Sequence, residues 1–166
     1  MPKARTTQEI YTFTEDSASD WKIVNDGVMG GLSQGSFEVT DNGEGKFYGS
    51  VSLENNGGFT MVRHSMDKIA IGENTRVLLQ VKGDGKSYQF RIKAKASDYY
   101  SYVKTFQTTG EWETVAIPLA EMYPSFMGQK VDIPNFDQTN IEQVAFLISN
   151  KVAEDFELLV RDIRLE

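Results

Sequence analysis

The pentapeptide Gly31-Leu32-Ser33-Gln34-Gly35 matches the G-x-S-x-G pattern in which a serine of α/β-hydrolases is the acyl-transfer nucleophile. Such a nucleophile lies on a turn between a strand and a helix, and its histidine follows the acid along the chain. Here the pentapeptide precedes an alternating segment at residues 36–40, and the single histidine, His64, lies in a strand pattern. The context therefore favours a glycine-permitted loop over a catalytic serine.

Other catalytic and metal-binding patterns find little support. The 166 residues include no cysteine and one histidine, which excludes thiolate nucleophiles, iron–sulfur clusters and metal sites with several histidines. Gly85-Lys86-Ser87 ends like a P-loop but lacks the glycine required five residues earlier. The carboxylate pairs Glu111/Glu113 and Asp155/Glu157 each flank an aromatic residue and are typical of a solvated strand face. We therefore predict no catalytic residue, no metal site and no cofactor. A structural calcium ion stays open as an alternative, because carboxylate, amide and backbone oxygens are plentiful in loops such as residues 41–45 and 132–140.

Residues that could bind a ligand occur in two parts of the chain. The first, at residues 21–33 and 49–63, is rich in Gly, Asn and Asp, which specify backbone conformations and local hydrogen bonds. Asp26 and Arg63 have complementary charges there, and we hypothesise that they pair. The second part is basic and aromatic and would suit an acidic partner or a sugar. The candidate binding residues are Asn25, Asp26, Asn55, Asn56 and Arg63 in the first part and Arg91, Lys93, Tyr102 and Trp112 in the second.

Charge is distributed unevenly along the chain, whose net charge is −7. Residues 75–106 contain seven basic and two acidic side chains, a local charge of +5, so the remainder carries −12. Arg91, Lys93 and Lys95 alternate there, and three tyrosines follow them. This pattern predicts a basic and aromatic sheet surface, the alternative being an ordinary solvent face of an antiparallel sheet. The overall acidic balance argues against nucleic acid as a partner.

These residues must be positioned by short strands. Apolar and polar side chains alternate in residues 47–53, 76–81 and 88–95, as is typical of half-buried strands. We expect residues 119–123 to form a short helical turn and residues 123–138, which contain two prolines, to form a long ordered loop. Further strands are predicted at residues 36–40, 58–64, 101–107, 113–117, 143–149 and 156–165.

The strand pattern predicts the fold class. In the last segment Val160 and Ile163 both continue the apolar face although they are three residues apart, which predicts a β-bulge. About nine or ten short strands with little helix predict an all-β fold, an antiparallel β-sandwich of jelly-roll type. We expect a single domain at residues 10–166, preceded by a flexible segment at residues 1–9.

No apolar run approaches the roughly 20 residues that span a bilayer. The N-terminal residues have positive charge but lack the apolar stretch of a signal peptide. We therefore expect no membrane span and a cytoplasmic location, unless a signal peptide has been removed.

Two stretches resemble the most distinctive motifs of the complex I intermediate-associated protein 30 family, called CIA30. They read W-x-x-V-N-D-G-V-M-G-G-x-S at residues 21–33 and V-S-L-E-N-N-G-G-F-x-x-V-R at residues 51–63. The likeness covers about residues 10–165. It implies a galactose-binding-like jelly roll, similar to many carbohydrate-binding modules, with no established catalytic residues. Eukaryotic members act as assembly factors for mitochondrial complex I, and this chain carries the domain without a Rossmann unit, as bacterial single-domain members do.

Both arguments predict a non-catalytic binding module. Its expected task is protein–protein interaction, as a chaperone-like factor in the assembly of a larger complex. The alternative is a carbohydrate-binding module that uses the aromatic and basic sheet face. An enzyme ranks third.

Overall fold

The computed structural model describes residues 8–25, 33–54, 58–126 and 129–166. The 3-10 turns that lie wholly within these ranges are Ser17–Ser19 and Leu119–Glu121, and no helix of the described residues is long and apolar enough to cross a membrane. The strands are β1 Gln8–Thr12, β2 Lys22–Asn25, β3 Gln34–Val39, β4 Gly45–Val51, β5 Thr60–Ala70, β6 Arg76–Lys82, β7 Ser87–Lys93, β8 Ser101–Gln107, β9 Trp112–Pro118, β10 Tyr123–Phe126, β11 Gln129–Lys130, β12 Asn140–Ile148 and β13 Glu154–Leu165.

The strands form two antiparallel sheets, which confirms the predicted jelly-roll sandwich. One sheet has the order β3-β4-β13-β6-β9, with β1 also paired to β13, and the other has the order β11-β10-β8-β7-β12-β5-β2. We call them the six-stranded and the seven-stranded sheet. The expectation of a plain loop at residues 123–138 is wrong for its first part, because β10 pairs with β8 there. Proline has no backbone N–H group, so Pro124 leaves no donor unpaired in β10.

The core lies between the sheets and is filled by alternate side chains of their strands. Phe47 and Leu158 of the six-stranded sheet are 1% and 0% exposed, and Phe90 and Phe146 of the seven-stranded sheet are 0% and 1% exposed. Burial of such side chains away from water is the main favourable contribution to the folded state. The two-residue period of the sequence therefore identifies the inward faces.

Tyr102 belongs to this interior, so the prediction that it contributes to an exposed aromatic surface is wrong. It lies opposite Ile92 in the β7–β8 pair, on the inward face, and is 1% exposed. Its ring packs edge-on against Phe136, with centroids 4.9 Å apart. The exposed aromatic side chain nearby is Tyr99, whose ring contacts those of Tyr100 and Phe126.

The predicted bulge in β13 is confirmed. The pairing with β6 shifts between Val160 and Asp162, which leaves Arg161 as the extra residue. Val160 is 3% and Ile163 0% exposed, so both halves of the strand face the core. The carbonyl of Arg161 accepts a hydrogen bond from the N–H of Phe13 at 3.0 Å. The bulge thus keeps a strand of 12 residues in phase with the interior.

Gly49 should be the least replaceable of the described glycines in this sheet. It has a φ of +148°, and a Cβ atom there would lie 2.0 Å from the carbonyl oxygen of Gln34. We expect Gly49→Ala to lower the free energy of unfolding in urea by about 3 kcal/mol, because strain and overlap combine. The control Gly43→Ala, with a φ of +78° and open space around it, should cost about 1–2 kcal/mol. Equal losses would contradict this account.

Burial of Tyr102 should make the free energy of unfolding fall as the pH becomes alkaline. Burial raises the pKa of Tyr102 from 10.0 to about 12, and the Tyr100 hydroxyl adds to the effect. Because the folded-state pKa is the higher one, this contribution to stability is complete below pH 10 and is lost as the pH rises towards 12. Urea unfolding from pH 9 to 12 (roughly the range set by these pKa values) should show a smaller loss in Tyr102→Phe than in the wild type. An identical loss would contradict the prediction, and Tyr99→Phe is the exposed control.

Candidate functional site

The outward face of the seven-stranded sheet brings together basic residues that are distant in sequence. Arg63 in β5 and Arg91 in β7 lie opposite Ala145 of β12, one on each side. Lys93 is the next residue on the same face of β7, and Lys22 in β2 lies opposite Arg63. We call Lys22, Arg63, Arg91 and Lys93 the cationic cluster.

The floor beneath the cluster is made by β12. Ala145 is 1% and Gln143 5% exposed, although both point away from the core, because longer side chains of the neighbouring strands cover them. The Ser65 hydroxyl donates a hydrogen bond to Oε1 of Gln143 at 3.1 Å. The site is therefore a sheltered polar surface with a small side chain at its centre.

The cationic cluster has no carboxylate within 4.0 Å among the described residues. Nε of Arg91 donates to Oε1 of Gln89 at 3.1 Å, and Nζ of Lys93 donates to the backbone oxygen of Asp98 at 2.7 Å. Burial lowers the pKa of Arg91. Burial first, then the charge of Arg63, lowers the pKa of Lys93, with a smaller contribution from Arg91 and an opposing one from Asp98. The charges are thus close together and partly removed from water.

The six-stranded sheet differs, because four of its basic residues lie 2.8–3.4 Å from carboxylates. Exposed pairs of this kind contribute little to stability, but they neutralise the local charge. The pairs are Lys46 with Glu38 and Glu157, Arg76 with Glu166, Arg161 with Glu44, and Arg164 with Asp162.

The predicted basic surface from residues 75–106 is wrong in its composition. Arg76 and Lys82 belong to β6 of the six-stranded sheet, and β7 ends at Lys93, before Lys95. Lys86 and Lys104 lie 3.2 and 3.1 Å from carboxylates. The local charge of +5 therefore does not form one patch, and two members of the cationic cluster come from other strands.

A cavity of about 190 Å³ opens beside the cluster and is lined by Asp20, Lys22, Arg63 and Ser65. The carboxylate of Asp20 accepts a hydrogen bond from the Tyr11 hydroxyl at 2.7 Å. Nδ1 of His64 lies 2.9 Å from the backbone oxygen of Asp20. Because a carbonyl oxygen only accepts, Nδ1 carries the proton, and the ring is held in place at the edge of the core.

Trp112 lies on the other sheet, away from the cationic cluster. It starts β9 opposite Lys82, and the Arg161 guanidinium stacks over its ring at 4.0 Å from the centroid. The predicted binding residues Arg91 and Trp112 therefore do not share a surface. Trp112 has a structural partner where it lies, since Arg161 also contacts Glu44 at 3.1 Å.

The first family-like motif is partly structural. Trp21 is 5% exposed and stacks on Phe13, with centroids 5.2 Å apart. Ser33 is 4% exposed, and its hydroxyl donates to the backbone oxygen of Ser52 at 3.2 Å and accepts from the N–H of Ser52 at 2.9 Å. The hydroxyl therefore joins the two motif regions, and these bonds to the backbone give Ser33 a structural role.

Several predicted residues lie beyond what can be placed. Asn25 ends β2, with its backbone opposite Thr60. Asp26, Asn55 and Asn56 lie outside the described residues, so their binding roles and the pairing of Asp26 with Arg63 stay predictions. In the parts of the chain that the structure describes, no group of three or more acidic or histidine side chains could hold a metal ion.

Sequence reasoning missed Lys22, Gln143 and Tyr123 as parts of this face. Tyr123 of β10 lies opposite Val103 of β8, which lies opposite Arg91 of β7, so the three residues form one row across the sheet. The missing signal is cross-strand register, which a single sequence does not contain.

Solved structures with a similar fold are carbohydrate-binding modules and enzymes that act on polysaccharides. The family 11 module of the cellulosomal cellulase Lic26A-Cel5E of Clostridium thermocellum has a TM-score of 0.71 at 14% identity, covering 98% of this chain and 95% of that one. The family 11 module from C. thermocellum in complex with a β-1,3-1,4-mixed-linked tetrasaccharide also scores 0.71, at 16% identity, covering 98% and 96%. The agarase AgWH50C scores 0.63 at 13% identity, covering 98% of this chain and 24% of the enzyme. At these identities the likeness shows the fold alone.

Sequence comparison gives the family. An uncharacterized protein of Schizosaccharomyces pombe is 28% identical over an alignment of 171 positions, which covers 87% of this chain and 77% of the relative. The family described as Complex I intermediate-associated protein 30 (CIA30) matches residues 11–160, a range that includes both motifs. The chain therefore belongs to the CIA30 family.

Proposed function

We propose that this chain is a non-catalytic binding module that contacts a partner protein through the outward face of the seven-stranded sheet, during the assembly of a larger complex. The observation that supports the proposal is the cationic cluster, whose members lack a carboxylate within 4.0 Å across the described ranges. The basic residues that are paired on the six-stranded sheet offer no such surface.

The physical argument concerns uncompensated charge. Like charges that are close together and partly desolvated raise the free energy of the unbound protein, and an acidic partner relieves that cost. Complementary charges of this kind govern specificity and association rate more than affinity. Membership of the CIA30 family, whose description refers to association with intermediates of complex I, also supports an assembly role.

The side chains that first suggested catalysis have other tasks. The Ser33 hydroxyl is bonded to the backbone of Ser52, and His64 is held against the backbone of Asp20. Glu113 accepts hydrogen bonds from the backbone and hydroxyl of Thr109 at 3.1 and 2.6 Å. These contacts favour a binding role over hydrolysis.

A carbohydrate ligand is the second candidate, favoured by the likeness to the module in complex with a mixed-linked tetrasaccharide. Sugars bind on aromatic rings, and Tyr123 is the one aromatic side chain that the described strand pairs put on this face. We expect calorimetric titration with that tetrasaccharide to give no saturable binding. Binding that Tyr123→Ala abolishes would favour the carbohydrate interpretation instead.

Site-specific cross-linking should identify the face in contact. Thr105 and Thr114 are matched exposed threonines, the first opposite Gln89 on the seven-stranded sheet and the second opposite Gln80 on the six-stranded sheet. With a photo-reactive amino acid at each position in turn, we expect a defined protein adduct in extracts of the native organism from position 105 alone. Its yield should fall several-fold between about 0.05 and 0.5 M salt, because screening weakens the attraction.

Adducts from position 114 alone would contradict the proposed face. An adduct from position 105 whose yield is independent of salt would contradict the electrostatic basis. A gel of each variant before irradiation, together with its thermal unfolding curve, controls for expression and folding.

A further inference from the structure

We infer that Arg63, Arg91 and Lys93 form one anion site, which receives a carboxylate of an acidic partner segment above the floor of Ala145 and Gln143. The inference rests on the proposed function and deepens it, because it names the chemical group that the face binds. It goes beyond a basic patch because it assigns one ligand group to three side chains from two strands.

Cross-strand register supplies the geometry. Neighbouring strands lie about 4.8 Å apart, so the backbones of Arg63 and Arg91 are about 10 Å apart, with only the methyl group of Ala145 between them. Two guanidinium arms of this length reach the space above a methyl group from both sides. Lys93 lies two residues along β7, about 7 Å from Arg91, and borders the same space on a third side.

The hydrogen bonds leave donors for a ligand. Arg91 uses Nε toward Gln89, and its two Nη groups have no hydrogen bond to any described residue. The guanidinium of Arg63 likewise has none within the described ranges. The side-chain oxygen of Gln89 orients Arg91 without a charge of its own, and the backbone oxygen of Asp98 orients Lys93. The carboxylate of Asp98 lies beyond 4.0 Å and raises the pKa of Lys93, but burial and the charge of Arg63 lower that pKa more. An oriented arginine with free Nη groups suits the two oxygens of a carboxylate.

Arg63 and Arg91 both lower the pKa of Lys93, which supports the placement of the three side chains around one site. A positive charge lowers the pKa of a lysine only when the two groups lie close together. The floor is polar and small, with Gln143 and Ser65 joined by a hydrogen bond. An acidic peptide is favoured over a sugar acid, because the described strand pairs put a single aromatic ring, that of Tyr123, on this face for a sugar to stack on. The net charge of −7 argues against a nucleic acid phosphate.

The test is an NMR titration of the full chain with a blocked hexaglutamate peptide, with blocked hexaglutamine as the neutral probe. We expect saturable shifts in β5, β7 and β12 with hexaglutamate and none with hexaglutamine. Arg91→Gln and Lys93→Gln should each weaken binding about tenfold or more, in line with the loss of a charged hydrogen bond. Lys82→Gln removes one charge from the six-stranded sheet and should leave affinity within about twofold.

A steric variant separates a site from general charge. Ala145→Leu keeps every cation but fills the space between Arg63 and Arg91, so hexaglutamate binding should be lost. If Ala145→Leu does not fold, the hexaglutamate affinities of Arg91→Gln and Lys82→Gln are compared instead, since each variant removes one positive charge. Absence of saturable binding to the wild type, or equal weakening by these two substitutions, would overturn the inference.

Three further arms identify the ligand. Tighter binding of trigalacturonate than of hexaglutamate would overturn the peptide assignment, and tighter binding of inorganic phosphate would overturn the carboxylate assignment. The anion site requires that the hypothesised pairing of Asp26 with Arg63 does not fill it, so Asp26→Asn should change hexaglutamate affinity by less than about tenfold. A gain of tenfold or more would mean that Asp26 already fills the site, which would overturn the inference.

The inference and the proposed function can fail separately. An adduct from position 105 without a hexaglutamate response would remove the anion site but keep the proposed face. Hexaglutamate binding at the cluster with adducts from position 114 alone would keep the anion site and remove the proposed function.

Discussion

The pairing of β12 with β5 on one side and β7 on the other is the constraint on which the rest of the site depends. This register puts Arg63 and Arg91 on opposite sides of Ala145 and directs Val144 and Phe146 into the core. A slip of β12 by one residue against both neighbours would turn Val144 and Phe146 away from the core and turn Gln143 and Ala145 toward it. The free energy that stabilises the core therefore also fixes the strands of the cationic cluster, and the backbone oxygen of Asp98, in the loop after β7, holds Lys93.

The two sheets differ in how their basic residues are paired. Four basic residues of the six-stranded sheet are paired with carboxylates, and its long strand β13 is kept in phase by the bulge at Arg161, whose side chain also covers Trp112. On the seven-stranded sheet the cationic cluster has no carboxylate within 4.0 Å among the described residues, whereas Lys104 of the same sheet is paired with Glu121. Two residues of the family-like motifs stabilise the fold, because Trp21 is buried in the core and the Ser33 hydroxyl accepts a hydrogen bond from the backbone of Ser52.

Much of the fold was readable from the sequence because it depends on local pattern. Alternation gave the inward faces of β6 and β7, and the phase change between Val160 and Ile163 gave the bulge. The site was readable only in part. Arg63, Arg91 and Lys93 were identified by residue type, whereas Lys22 was missed and Trp112 was assigned to the wrong neighbours. Tyr102 was misjudged because a tyrosine suits either face, and only its pairing with Ile92 decides. Register is a non-local property, and a single sequence does not report it.

A crystal structure of the chain bound to its partner's acidic segment tests the central claim most directly. The account predicts the segment on the outward face of the seven-stranded sheet, with one carboxylate oxygen within hydrogen-bond distance, about 2.7–2.9 Å, of an Nη atom of Arg91 and of Nζ of Lys93. A segment seated on the six-stranded sheet would contradict the account. A segment on the predicted face whose carboxylates point to solvent, leaving Arg91 and Lys93 without an anion, would contradict it as well.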